Sequence, residues 1–142
     1  MHNETELTFL SLSGNEGFAR AVAAAFASQL NPSIEALSDL RTAVSEAVTN
    51  AIIHGYEQKK DRLVTMRMTV DDDLLTVTVR DDGCGIDDIA LARKPFYTSK
   101  PELERSGMGF SVMEAFMDTV SVESAPGCGT TVTMQKRIPH AD

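Results

Sequence analysis

Two β-rich runs, residues 63–70 and 74–80, are separated only by Asp71, Asp72 and Asp73. So short a connection joins antiparallel neighbours, because parallel strands need a crossover of a dozen or more residues. The middle of the chain is therefore an antiparallel pair, and the flanking segments must pack on it. Residues 15–30 read as a first helix, with Ser13 and Glu16 in the S-x-x-E form of a capping box and Phe18, Val22 and Phe26 as an apolar stripe for the core. A second helix opens at Asn31-Pro32, with Asn as N-cap and Pro at the first helical position. It carries Ile34, Leu37, Leu40, Val44, Val48 and Ile52 at three-to-four-residue spacing and ends near His54-Gly55. Leu7, Phe9 and Leu10 suit an opening strand, and 120–123 with 130–136 a closing hairpin around Pro126-Gly127-Cys128-Gly129. Between them lies a stretch, 81–109, rich in Gly, Pro, charge and hydroxyls, with one short helix near 87–91 and a further helix over 107–117.

This order predicts an α+β chain: a two-layer α/β sandwich whose mixed, mainly antiparallel sheet is covered by helices on one face. At 142 residues a single domain, 1–142, is expected. The net charge of -8 repels a phosphate backbone, which argues against direct nucleic-acid binding. No apolar run approaches the ~20 residues of a membrane span, and the acidic start lacks the pattern of a signal peptide, so a cytoplasmic location is expected. Cys84 and Cys128 have no zinc-finger partners and read as free thiols.

Four short segments carry chemistry. On the second helix Glu46, Asn50 and His54 stand at i, i+4 and i+8 and share one polar face, which is either solvated or functional. An Asn carbonyl suits Mg²⁺, and a carboxylate one turn earlier can deprotonate a nucleophile. Asp81-Asp82-Gly83-Cys84-Gly85-Ile86 follows directly on a strand. Asp81 there can accept from an adenine amino group while the glycines let the backbone approach a flat base, although D-x-G-x-G also arises in ordinary turns. Residues 100–109 run from Lys100 through Arg105 and Ser106 to Gly107-Met108-Gly109 and straight into a helix. Free amides there, with Lys100 and Arg105, form an anion site; a plain surface loop is the alternative. The tract Tyr97-Thr98-Ser99, bracketed by Pro95 and Pro101, fits a lid. Gly127-Cys128-Gly129-Thr130-Thr131, alone, is a hairpin turn.

In this order the segments E-x-x-x-N, D-x-G-x-G, G-x-G and G-T-T resemble the nucleotide-site boxes of the superfamily that includes gyrase B, the ninety-kilodalton heat-shock chaperone, mismatch-repair ATPases and histidine kinases. Residues 44–56 and 100–110 further resemble the anti-sigma-F factors of endospore-forming bacteria, serine kinases of that superfamily. The resemblance implies a Bergerat-type ATP-binding fold and a homodimer that binds ATP or ADP with Mg²⁺. It further implies inhibition of a sporulation sigma factor and phosphorylation of a serine on an anti-anti-sigma factor. Carried over, it makes Glu46 the general base, Asn50 the Mg²⁺ ligand, Asp81 the reader of adenine, and Gly83, Gly85 and Ile86 the shapers of the base pocket. Thr98, Ser99, Lys100, Arg105, Ser106, Gly107, Met108 and Gly109 become the phosphate lid, and Thr130 closes the adenine side. Two related readings stay open: a general-stress anti-sigma kinase, and an anti-sigma module that holds nucleotide without transferring phosphate.

Overall fold

A computed structural model describes residues 1–57, 59–94 and 109–140. Strands β1 (His2–Leu10), β2 (Leu63–Asp71), β3 (Leu74–Asp81), β4 (Thr119–Ser124) and β5 (Thr130–Arg137) form one sheet in the order β1-β2-β3-β5-β4. Every neighbouring pair is antiparallel, so the mainly antiparallel sheet expected from the sequence is antiparallel throughout the described residues. Asp72 makes the tight β2–β3 turn in the left-handed region at φ 54°, a conformation Asp tolerates better than most residues.

Period-two alternation decides which face is covered. Val64, Met66, Met68 and Val70 of β2, Leu75, Val77 and Val79 of β3, and Val132 and Met134 of β5 are buried together under the helices. Their neighbours along each strand, mostly Thr, Arg and Gln, turn to the other face. The same period carries Asp81, two residues beyond Val79, onto the core face. It is one of only two buried polar residues, with Ser11, among those described.

The helical layer comprises α1 (Asn15–Ala27), α2 (Ile34–Asn50), the single short turn of α3 (Ile89–Ala92) and α4 (Gly109–Phe116). Ala19, Ala23 and Ala27 recur every fourth residue on α1 and are fully buried, so this helix approaches its neighbours through methyl groups. Small side chains therefore hold the position expected for the Phe18 stripe. Phe18 is 54% exposed, and Val22 and Phe26 pack only at the margin of the core. On α2, Leu40, Ala43, Val44, Ala47 and Val48 are buried as the spacing predicts, whereas Ile34 at its start is 90% exposed.

Both expected N-caps differ. Helix α1 starts from Gly14 with no side-chain cap, because Glu16 is engaged elsewhere: it accepts a hydrogen bond from the Ser45 hydroxyl of α2 and pairs with Arg20 at 3.6 Å. Asn31, at φ 50°, instead ends the turn that follows α1, since reversing the chain there needs a left-handed residue. Ser33 caps α2 by accepting from the Ala36 amide at 3.1 Å.

Helix α2 does not stop cleanly. Residues Ala51–Gly55 widen into a π-helical turn, closed by the Tyr56 amide donating to the Ala51 carbonyl at 3.0 Å. Such turns are uncommon and concentrate at functional sites, and this one faces the carboxylate end of β3.

Candidate functional site

Between the end of α2, the end of β3 and the start of α4 lies a cavity of about 530 Å³, within the roughly 300–1,000 Å³ typical of small-molecule sites. Ala47, Ala51, Val79, Leu91, Phe110 and Val132 supply apolar walls. Asn50 and His54 reach it from α2 and the π-turn, Asp81 from β3, Gly85 and Ile86 from the loop beyond, and Thr130 from β5. An apolar slot with a few convergent polar groups is suited to a flat heteroaromatic ring held by its edge.

Asp81 sits at the centre because of sheet register. Its Cα partners are Val64 on β2 and Thr130 on β5, so the last residue of the central strand is flanked on both sides and only 5% exposed. Its carboxylate accepts from the Gly83 amide at 2.9 Å and from the Thr130 backbone amide. Those two bonds favour the ionised form, but burial outweighs them and the neighbouring Asp82 adds repulsion, raising the pKa to about 6.

The loop after Asp81 is held by groups far away in sequence. The Asp82 amide donates to the Tyr56 hydroxyl at 2.7 Å, and that hydroxyl donates to the Leu63 carbonyl at 2.6 Å. The Cys84 amide donates to the Gly55 carbonyl at 2.8 Å. Further on, the Ile86 amide donates to the Ser124 hydroxyl at 2.8 Å. Two glycines are required by close approach. A Cβ at Gly55 would lie 2.6 Å from the Asp81 carboxylate, and one at Gly83 would lie 1.9 Å from the Gly55 carbonyl oxygen.

Of the residues singled out in the sequence, Asn50, Asp81, Gly85, Ile86, Gly109 and Thr130 line this cavity. Gly83 stands behind it against Gly55. Glu46 does not line it. It borders a second cavity of about 420 Å³ with Arg20, Ser38, Arg41, Thr42 and Ser45, one helical turn from Asn50. Thr98, Ser99, Lys100, Arg105, Ser106, Gly107 and Met108 lie outside the described residues. Tyr56 and Ser124 were missed by the sequence reading, because a lone hydroxyl carries no motif and its meaning here depends on partners 26 and 38 residues away.

The buried acid makes stability depend on pH. The unfolded chain loses this proton near 3.8 and the folded chain near 6, so between those values the folded state binds more protons. Its contribution is favourable in acid and is lost as pH rises through about 6. The displacement from 3.8 to about 6 corresponds, at about 1.36 kcal/mol per unit, to about 3 kcal/mol. Asp81→Asn keeps an acceptor for the Gly83 amide without the charge. In urea titrations it should therefore be more stable than the native protein by about 1–3 kcal/mol at pH 7.5 and equal to it near pH 4. Equal stability at both pH values would contradict the account of the buried charge.

The family profile of the histidine kinase-like ATPase domain matches residues 14–136. An anti-sigma F factor of Clostridium perfringens strain 13 is 54% identical over 138 residues, covering 97% of this chain and 99% of the relative. The chain belongs to the anti-sigma F factor family. Its Bacillus subtilis relative in that family is 51% identical over 97% of this chain and 94% of the relative. A solved structure of the RsbU and RsbW domains of a Mycobacterium tuberculosis protein superposes with a TM-score of 0.65 at 19% identity, which bears on the fold alone. That match covers 97% of this chain and 33% of the mycobacterial one. The histidine kinase-like ATPase domain implies ATP binding.

Among the described residues no helix is long and apolar enough to cross a membrane, and no three His, Cys, Asp or Glu side chains gather as a metal site.

Proposed function

We propose that this protein inhibits a sporulation sigma factor of the sigma-F type by binding it, and that it is also a serine protein kinase that phosphorylates, and so inactivates, the sigma factor's anti-anti-sigma factor. The observation that carries this reading is identity of 51–54% with anti-sigma F factors along nearly the whole chain. The active form is a homodimer.

In this reading the apolar walls take the adenine ring and Asp81 accepts from its 6-amino group, an edge contact that the Thr130 side completes. Asn50 holds Mg²⁺ through its side-chain carbonyl. Mg²⁺ commonly takes one or two protein oxygens and draws the rest from phosphates and water, so a single Asn carbonyl suits it. An ion bound there would neutralise phosphate charge. Lys100 and Arg105, which lie outside the described residues, are proposed as the cations that meet the phosphates. Glu46, beside rather than inside the nucleotide cavity, takes the proton of the incoming serine hydroxyl. A base that serves a second protein has to be reachable from outside the nucleotide cavity, and the neighbouring groove with Arg20 and Arg41 provides that access.

Calorimetric titration with ATP and Mg²⁺ tests the nucleotide half of this reading, and transcription by sigma-loaded RNA polymerase with and without the protein tests the other half. Because Asp81 reads the base as a carboxylate, ATP affinity should weaken by several-fold as pH falls from 7.5 to 5, and Asp81→Asn should flatten that dependence. Absence of ATP binding at any pH would remove the nucleotide reading, and undiminished transcription would remove the anti-sigma one.

A further inference from the structure

Ser124, the last residue of β4, lines no part of the cavity but touches two residues that do. Its hydroxyl accepts from the Ile86 amide at 2.8 Å, donates to the Gly129 carbonyl at 2.8 Å and lies 2.9 Å from the Thr130 hydroxyl. A serine hydroxyl has one proton and two lone pairs. The proton goes to the carbonyl of Gly129, a buried residue whose backbone oxygen needs a donor. One lone pair is taken by Ile86. The remaining lone pair accepts the Thr130 proton, so the Thr130 hydroxyl has only its own lone pairs left to face the cavity. Asp81, Thr130's partner across the ladder, is likewise an acceptor.

We infer that Ser124 is a specificity-determining positioning residue. By holding the Thr130 proton it leaves a wall of acceptors, Asp81 and Thr130, that selects a purine bearing a 6-amino donor over one bearing a 6-oxo acceptor. The inference rests on the reading that the base lies between these two residues. Ser124→Ala frees the Thr130 hydroxyl to turn its proton into the cavity, where it can serve an oxo group as well as an amino group serves the native arrangement.

The test compares ATP with inosine triphosphate, which carries a 6-oxo group and an N1–H where adenine has a 6-amino group and a bare N1, by titration calorimetry with Mg²⁺ on the native protein, Ser124→Ala and Thr130→Val. The native protein should prefer ATP. In Ser124→Ala the ATP-to-ITP affinity ratio should contract about tenfold, mostly through tighter ITP binding. Thr130→Val, which removes the hydroxyl, should contract it similarly. Loss of affinity for both nucleotides by the same factor, as a loosened loop would give, overturns the inference, and so does an unchanged ratio or a native protein indifferent to the substituent. If the native protein binds neither nucleotide, the reading of the cavity fails first and this inference with it.

Discussion

Replacing Glu46 by alanine should slow phosphoryl transfer to the anti-anti-sigma factor by about 10²–10⁴-fold while leaving ATP affinity within about twofold of native. Both halves come from where this carboxylate stands. It lies outside the cavity proposed for the nucleotide, so its removal should cost ATP no contact. It stands one helical turn from Asn50, the residue assigned to the phosphate-bound ion, so a hydroxyl presented from the Arg20–Arg41 side meets the base on its way to the phosphate. Single-turnover transfer measured beside calorimetry separates the two. Native transfer rates in Glu46→Ala would remove the base, and a loss of ATP affinity matching the loss of rate would make it a binding residue instead.

Gly83→Ala should lower stability by about 3 kcal/mol and abolish measurable nucleotide binding. The added Cβ would stand 1.9 Å from the Gly55 carbonyl oxygen and 2.4 Å from its carbon, both backbone atoms that cannot swing aside. Relief requires the Asp81–Cys84 turn to move off the π-turn. That movement would break the Cys84 bond to Gly55 and take the Gly83 amide from the Asp81 carboxylate. Gly14→Ala is the matching control, because nothing lies within 4 Å of its added Cβ, and it should change stability by less than about 0.5 kcal/mol. Urea denaturation of the two variants checks the contrast; similar stabilities would show that the turn is not wedged against Gly55.

The sequence carried much of this design because its local periods agree with the fold. The three-residue link after residue 70 leaves no alternative to a hairpin, and the spacing from Leu40 to Ile52 puts the right face of α2 against the sheet. The D-x-G-x-G segment is legible because the strand period carries Asp81 inward where a polar residue needs a reason. Other features are set at long range. That Asp81 pairs with Thr130 depends on β5 inserting between β3 and β4, a choice of strand order that no local pattern encodes. The helical spacing put Glu46 and Asn50 on one face, but where the cavity ends along that face is decided by elements packed beside α2. Capping failed as a guide at Ser13-x-x-Glu16 and at Asn31, because Glu16 found Ser45 and Arg20, and because the turn between helices needed Asn31 for its backbone rather than its side chain.

The central claim is that one cavity binds ATP so that its phosphate can pass to a serine of another protein. The most direct measurement incubates the protein with γ-labelled ATP, Mg²⁺ and the cognate anti-anti-sigma factor, and follows label into that partner. The account predicts label on a serine, dependent on Mg²⁺ and lost in Glu46→Ala. Tight ATP binding without any label on the partner would contradict the kinase and leave a nucleotide-holding anti-sigma protein.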